Sequence, residues 1–323
     1  MEYSKPQLEA VRHVDGPMMV LAGPGSGKTA VITGRVRYLL EEMKIAPQTI
    51  LVITFTKAAA TEMRERFIKL MGESKGVQFA TFHSIFFMIL RVSYGYGVDR
   101  IICEEMTRNF LKEKIRTLDL EEGDEKDFIK NVIGEISRVK SEGVDIENYY
   151  SISCPEEAFR DIFRSYEAFM KERGLIDFDD MMILCDKLFS DYPHILEAWQ
   201  SKFTYILIDE FQDVSRLQFE LVSKMAKPLN NIFIVGDDDQ SIYRFRGAKP
   251  EIMLGFEKIY PNCKKVILNE NYRSTEAILN FAGSVIHKNK QRFDKKIVAA
   301  KREAGSLPVI KSFPDRRTED TAI

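Results

Sequence analysis

Residues 22–29 read Ala22-Gly23-Pro24-Gly25-Ser26-Gly27-Lys28-Thr29 and follow an apolar run, Met18-Met19-Val20-Leu21. A buried strand that empties into a glycine-rich turn, and then into a helix opening on Lys-Thr, is built to hold an anion. Gly23, Gly25 and Gly27 open backbone conformations closed to other residues, so successive N–H groups can converge on a phosphate. The helix that follows aims its positive end at the same spot. Lys28 is expected to reach the β- and γ-phosphates of a nucleoside triphosphate, and the Thr29 hydroxyl to hold a Mg2+ ion. Residues Ala22 to Ala30 form the expected nucleotide-binding turn, with Ala22 where the general pattern has its first glycine. Ile32, Val36, Leu39, Leu40 and Met43 supply the buried stripe of the helix behind it.

A second chemical signal lies far downstream. Tyr205-Ile206-Leu207-Ile208 is a buried-strand pattern that ends in Asp209-Glu210. Two acids entering a turn would, in isolation, be a solvated surface. Set beside residues 22–29 they become the metal-binding and water-activating carboxylates of a nucleotide hydrolase. Asp209 is expected to hold magnesium and Glu210 to orient and deprotonate the attacking water. A third acidic group, Asp177-Phe178-Asp179-Asp180, reads as the first turn of a helix, where carboxylates are stabilised by the dipole.

The elements needed to position these groups are legible as short apolar runs: Met18–Leu21, Ile50–Phe55, Val77–Phe82, Tyr205–Ile208, Ile232–Val235 and Val266–Leu268. Continuous apolar character suits strands buried on both faces of a parallel sheet. Ala60, Met63, Phe67 and Leu70 recur at helical spacing between the second and third runs, giving a βαβ crossover. The fold class is therefore α/β, a wound parallel sheet. Its rhythm stops after Phe82 and resumes at Tyr205. Phe110–Ile115, Phe128–Val139 and Phe159–Met170 carry helical periodicity, with an acidic, solvated stretch over Asp119–Asp127 and a helix start at Ser153-Cys154-Pro155. So long an interval is an inserted helical subdomain, not a loop. The expected division is a discontinuous lobe over 1–90 and 198–275, the insertion over 91–197, and the start of a next lobe over 276–323. That tail holds one helix (Ile278, Phe281, Ala282, Val285), a basic stretch from Lys288 to Lys296, and a strand candidate, Val309–Phe313. The chain is expected to stop inside this next lobe.

Bulk properties set limits. The 323 residues carry 45% apolar and 30% charged side chains and a net charge of −2. The balance is uneven: residues 1–90 hold 11 basic and 8 acidic residues, 91–200 hold 15 and 25, and 201–323 hold 21 and 16. Polyanion binding must then be local, since no whole-surface field exists. Cys103, Cys154, Cys185 and Cys263 are scattered and form no C-x-x-C pair, which suits reduced thiols and a cytoplasmic setting. The four histidines form no metal-ligand pattern. No apolar run is long enough to span a bilayer, and no membrane partner is expected.

Further motifs carry a family resemblance. Asp209-Glu210-Phe211-Gln212-Asp213, the run Gly236-Asp237-Asp238-Asp239-Gln240-Ser241-Ile242-Tyr243-Arg244-Phe245-Arg246-Gly247-Ala248, and Leu268-Asn269-Glu270-Asn271-Tyr272-Arg273-Ser274-Thr275 resemble the UvrD/PcrA/Rep group of superfamily 1 DNA helicases. So do Gln7-x-Glu9-Ala10-Val11, Thr54-Phe55-Thr56, Glu62-Met63-Arg64-Glu65-Arg66 and Thr81-Phe82-His83-Ser84, all in family order from about residue 3 to 290. The resemblance implies a RecA-like lobe, and ATP hydrolysis coupled to translocation on single-stranded DNA and unwinding at duplex junctions. The polarity it implies is 3′→5′, in repair or replication. It also implies roles. Gln7 would read the adenine edge, where its amide can donate and accept, and Tyr272 would stack on the base. Arg273 would face the γ-phosphate, and Gln240 would sense that phosphate. Arg35 would lie either near the nucleotide or on the surface. Phe55, Tyr243 and Phe245 would stack on successive bases, while Thr56, His83 and Arg246 would contact the phosphodiester backbone.

Three departures stand out. Lys57-Ala58 replaces the usual Asn-Lys, Phe245 replaces a tryptophan, and the later motifs, including a second arginine finger, do not occur before Ile323. Competing readings are a lobe that binds ATP and single strands without unwinding, the helicase part of a helicase–nuclease, and an ordinary P-loop kinase. The last leaves the Gln240–Gly247 run unexplained.

Overall fold

A computed structural model describes residues 3–120, 124–242, 247–301 and 304–322. The chain opens with α1 (Lys5–Arg12), β1 (Met18–Ala22), α2 (Lys28–Glu41), β2 (Ile50–Thr54), α3 (Lys57–Met71), β3 (Gln78–Thr81) and α4 (Phe82–Tyr94). Five helices follow: α5 (Glu104–Thr117), α6 (Glu125–Glu142), α7 (Glu156–Arg173), α8 (Phe178–Asp191) and α9 (Pro193–Lys202). Next come β4 (Tyr205–Ile208), α10 (Arg216–Ala226), β5 (Ile232–Gly236), α11 (Pro250–Leu254), α12 (Phe256–Ile259) and β6 (Lys264–Leu268). The tail holds β7 (Glu270–Asn271), α13 (Glu276–Ile286), β8 (Val298–Ala299) and α14 (Arg316–Ala322).

All six apolar runs became strands of one parallel sheet in the order β3-β2-β4-β5-β1-β6. Alternate residues of each central strand feed two cores. Met19, Leu21, Leu51, Ile53, Ile206, Ile208, Ile232 and Ile234 face one layer of helices. Met18, Val20, Ala22, Ile50, Val52, Leu207, Phe233 and Val235 face the other. With both faces covered, a one-residue slip would only exchange apolar sides, so pairing is fixed by the helices and turns at the strand ends. The parallel order brings the carboxyl ends of β1, β2, β4 and β5 to one rim, as in RecA-like nucleotide-binding folds.

The insertion has its own core, built from Leu111 and Ile115 of α5, Ile129 to Val139 of α6, and Phe159, Ile162, Tyr166 and Met170 of α7. It leaves and rejoins the lobe through adjacent backbone: Ile176 N–H donates to Arg100 O (2.8 Å) and Ile102 N–H to Ile176 O (3.0 Å). The expected boundary at 197 is therefore too late. Met181, Met182, Cys185, Leu188 and Phe189 of α8, with Trp199 of α9, pack into the core of the sheet. Helical periodicity shows that a face is buried but not against what.

The helix start near Pro155 is present, with α7 beginning at Glu156. Asp177 caps α8, accepting from Asp180 N–H, as the acidic first turn implied. Part of the acidic stretch, residues 121–123, lies outside the described residues. The strand candidate Val309–Phe313 is not a strand: this exposed segment has no neighbouring strand to bond with among the described residues. Met43 falls beyond α2 and is exposed, so the buried stripe ends earlier than its spacing suggested.

Candidate nucleotide site and nucleic-acid face

The phosphate turn springs from the rim end of β1. Ala22, the departure from the glycine pattern, is the last residue of that strand and is fully buried, so a methyl group fits the core there. Gly25 and Gly27 adopt left-handed backbone (φ +66° and +85°). A Cβ on Gly27 would lie 2.8 Å from Gln7 Nε2, and one on Gly25 would lie 2.7 Å from Arg273 Cβ. Glycine is thus required at both for conformation and for space. Ser26 Oγ closes the turn onto Gly23 O (2.7 Å). Pro24 is exposed at its tip, and Thr29 and Ala30 are half-buried in the first turn of α2.

Lys28 and Glu210 meet: Lys28 Nζ donates to Glu210 Oε2 at 2.6 Å. Glu210 is one of few non-glycine residues with left-handed backbone, φ +49° and ψ 45°. Such a conformation costs of order 1–3 kcal/mol and is held only where the surroundings dictate it. Here it turns the carboxylate from the end of β4 toward the lysine. Asp209 N–H donates to Ile53 O (2.9 Å), locking the preceding residue to the rim of β2. Burial first, and then the charge of Glu210, push the Asp209 carboxyl up to about 6. Its Oδ1 atom is buried without a hydrogen-bond partner among the described residues. A buried orphan carboxylate oxygen beside the phosphate turn is the donor a magnesium ion would take.

The site continues sideways through Gln212, which sequence reasoning quoted only as part of a motif. Gln212 Nε2 donates to Glu210 Oε2 (3.0 Å), and Gln212 Oε1 accepts from Asp237 N–H (3.0 Å). Gln240 Nε2 in turn donates to Asp237 Oδ2 (2.5 Å). A glutamine that can donate and accept at once joins the ends of β4 and β5.

Other expected nucleotide contacts are arranged as follows. Gln7 is buried, with Oε1 accepting from Ser4 N–H (2.9 Å) and Nε2 donating to Ser26 O (2.9 Å). It braces the turn from behind, with one N–H and one lone pair left over. Tyr272 is 48% exposed and its N–H donates to Gly25 O (3.0 Å), so the ring stands at the mouth of the turn. Arg273 is exposed beside it. Arg35 requires a correction, since it is neither at the nucleotide nor on the surface. It is 0% exposed, its guanidinium lies 4.5 Å over the Phe233 ring, and Nη2 donates to Val14 O (3.0 Å). The residue sits two turns into α2, on the side facing the sheet, where its stem and ring contact fill the core.

On the rim expected to meet the single strand, Phe55 is half-buried at the end of β2. Thr56 caps α3, its hydroxyl accepting from Ala59 N–H (3.1 Å). His83 sits in the first turn of α4, and burial lowers its pKa. Its ring lies 4.9 Å from that of Phe178, which is 57% exposed. A large exposed aromatic beside His83 was hidden in the acidic run 177–180, where its neighbours drew attention to helix capping. Tyr243, Phe245 and Arg246 lie outside the described residues.

Comparison with known proteins agrees with this architecture. The family model of the UvrD/REP helicase N-terminal domain matches residues 3–261. The chain is 39% identical over 329 residues to the putative ATP-dependent DNA helicase YjcD of Bacillus subtilis, covering 98% of the chain and 42% of that protein. It is 39% identical over 309 residues to the ATP-dependent DNA helicase PcrA of the same organism (90% and 40%), and 37% over 322 residues to a probable DNA helicase II homolog of Mycoplasma capricolum (97% and 44%). The chain spans about two fifths of the length of these relatives. No helix among the described residues is long and apolar enough to cross a membrane. On its motifs, its sheet order and a family match covering most of its length, the chain belongs to the UvrD/REP helicase family.

Proposed function

We propose that this chain is the ATP-binding part of a motor that moves along single-stranded DNA and separates strands at duplex junctions. The carrying observation is the contact between Lys28 and Glu210 at the rim of the sheet. In this reading Lys28 and the N–H groups of residues 23–28 bind the β- and γ-phosphates of ATP. Glu210 then exchanges its lysine contact for the attacking water and accepts its proton. Gln240 senses the γ-phosphate, Arg273 offsets charge that builds on it, and Tyr272 stacks on the base. Thr29 and the unpartnered oxygen of Asp209 would hold Mg2+, which when bound neutralises phosphate charge. Phe55, Tyr243, Phe245 and the exposed Phe178 offer stacking surfaces to bases, while Thr56, His83 and Arg246 meet the backbone. The polarity proposed from resemblance is 3′→5′, and the setting is cytoplasmic DNA repair or replication.

The test is ATP turnover by the complete gene product, with and without single-stranded oligonucleotide. Turnover that rises on adding the oligonucleotide, and that Lys28→Ala abolishes, is expected. Turnover indifferent to DNA would point instead to a small-molecule ATPase.

A further inference from the structure

The basic stretch from Lys288 to Lys296 carries none of the expected nucleotide contacts, yet two of its residues reach the end of β5. Lys295 has a side chain only 1% exposed, and its ammonium contacts Asp237 Oδ1, Asp238 Oδ1 and, at 3.0 Å, Asp239 Oδ2. Arg292 adds a two-pronged contact to Asp239, Nε to Oδ1 and Nη2 to Oδ2, both at 2.8 Å. Phe293 N–H donates to Asp238 Oδ2 (2.8 Å). Three consecutive acids, two of them buried, are thus held by one short segment of chain. Burial alone would lower the Lys295 pKa, but Asp237 and Asp238 raise it, so the ammonium stays charged.

Asp237 spreads its carboxylate over three partners. Oδ1 takes Lys295 and also accepts from Asp239 N–H (3.3 Å), and Oδ2 takes Gln240. Two residues beyond Lys295, Ile297 covers the phosphate turn so closely that a Cβ on Gly23 would lie 2.5 Å from Ile297 Cδ1. The segment therefore touches both the phosphate turn and the carboxylate that orients Gln240.

We propose that Lys295 and Arg292 are positioning residues, and that segment 292–297 is a strap that fixes Gln240 relative to the phosphate turn. The proposal rests on the ATP-motor reading above. Both cations are engaged by the acids of residues 237–239. Lys295 acts through Asp237, and Arg292 through Asp239, on the turn that carries Gln240. Without Lys295, Asp237 and Asp238 repel one another in a buried place, and the turn loses its register.

The experiment uses the complete gene product carrying Arg292→Gln, Lys295→Met or Lys295→Arg. Arg292 lies at the edge of the cluster, so its variant keeps a folded control should Lys295→Met lower the melting temperature. Arg292→Gln and Lys295→Met are expected to leave the KM for ATP within about twofold. Both should lower the DNA-stimulated kcat about tenfold or more, with Lys295→Arg recovering part of it. The amides of residues 237–241 should also exchange faster in Arg292→Gln than in the unsubstituted protein, measured without DNA. A KM that rises in step with the kcat loss, or unchanged stimulation in both variants, overturns the proposal. Should the unsubstituted protein show no response to DNA, the motor reading fails. The strap is then judged on exchange alone, and unaltered exchange at 237–241 overturns it.

Discussion

Lys28 Nζ and Glu210 Oε2, 182 residues apart in sequence, lie 2.6 Å from one another. The ammonium proposed to bind phosphate and the carboxylate proposed to activate water hold each other. On the proposed reading, a bound triphosphate would displace Glu210 from Lys28 and leave it an open acceptor facing the γ-phosphate. Glu210→Gln removes the competing charge while keeping the shape. It is expected to bind ATP at least as tightly as the unsubstituted protein and to hydrolyse it about 100- to 10,000-fold more slowly. Lys28→Ala should weaken ATP binding roughly 10- to 100-fold through loss of a charged hydrogen bond. Titration with a fluorescent ATP analogue and single-turnover hydrolysis measure both. Tighter binding by Lys28→Ala than by Glu210→Gln would contradict these assignments.

Gly27 and Gly16 form a matched pair for testing the turn. Both have left-handed backbone, φ +85° and +83°, but only Gly27 is crowded. A methyl group there would lie 2.8 Å from Gln7 Nε2, whereas one on Gly16 would meet nothing within 4 Å. Each alanine substitution should cost about 1–2 kcal/mol from backbone strain. Gly27→Ala must also push Gln7 off Ser26, so it alone should weaken ATP binding, by about tenfold. Equal loss of affinity in Gly16→Ala would show that the effect is general destabilisation.

Much of this site is readable from sequence because its parts are local. A glycine turn, a Lys-Thr helix start and an apolar run ending in Asp-Glu each occupy a short stretch of chain, and each strand needs only a handful of apolar positions. What escaped depends on long-range packing. Arg35 carries the same charge as a surface arginine, and only the fold shows Phe233 beneath it. Lys295 sits in what reads only as a basic stretch, yet its partner Asp237 is 58 residues earlier. Helices α8 and α9 show the periodicity of α5–α7, but their apolar faces meet the sheet. The Val309–Phe313 run has strand-forming residues but, among the described residues, no strand to pair with.

Lys140 is the cation held among the acids at the start of α8. It contacts Asp177 (2.7 Å), Asp180 (2.6 Å) and Glu167 (3.1 Å), and its side chain is almost wholly buried. Burial alone would lower its pKa, but Asp177 and Asp180 raise it. Breaking a buried ion cluster from one side leaves uncompensated charge and costs about 3–5 kcal/mol. Lys140→Met should therefore lower stability by that order in urea unfolding, with α6 separating from α8. A change below about 1 kcal/mol would mean that water already screens the cluster.

Asp179 in the same cluster gives a pH signature. Burial raises its carboxyl from 3.8 to about 6. Between about pH 4 and 6 the folded chain then binds more protons than the unfolded chain, so stability falls as pH rises through that window and stays reduced above it. Asp179→Asn keeps a partner for Ser137 and removes the charge. It should be more stable by about 1 kcal/mol at pH 8, partial exposure having screened the rest, with the gain vanishing near pH 4. Thermal unfolding at both pH values reads the difference, and a gain independent of pH would refute the assignment.

His83 and Phe178 provide the last test, on the DNA side. Their rings are 4.9 Å apart, and burial lowers the His83 pKa, so at pH 7.5 the imidazole is a neutral N–H donor and not a cation. A cation meeting a phosphate would contribute about −0.7 to the slope of log K against log salt on single strands, whereas a neutral donor contributes nothing. His83→Gln should therefore weaken single-strand binding while leaving the salt slope unchanged. Phe178→Ala should cost about 1–3 kcal/mol if the exposed ring stacks on a base, again without altering the slope. Fluorescence anisotropy of a labelled oligonucleotide across a salt series separates these outcomes. A slope that falls in His83→Gln would make the histidine a charged phosphate contact, and unchanged affinity in Phe178→Ala would leave that ring without a role on DNA.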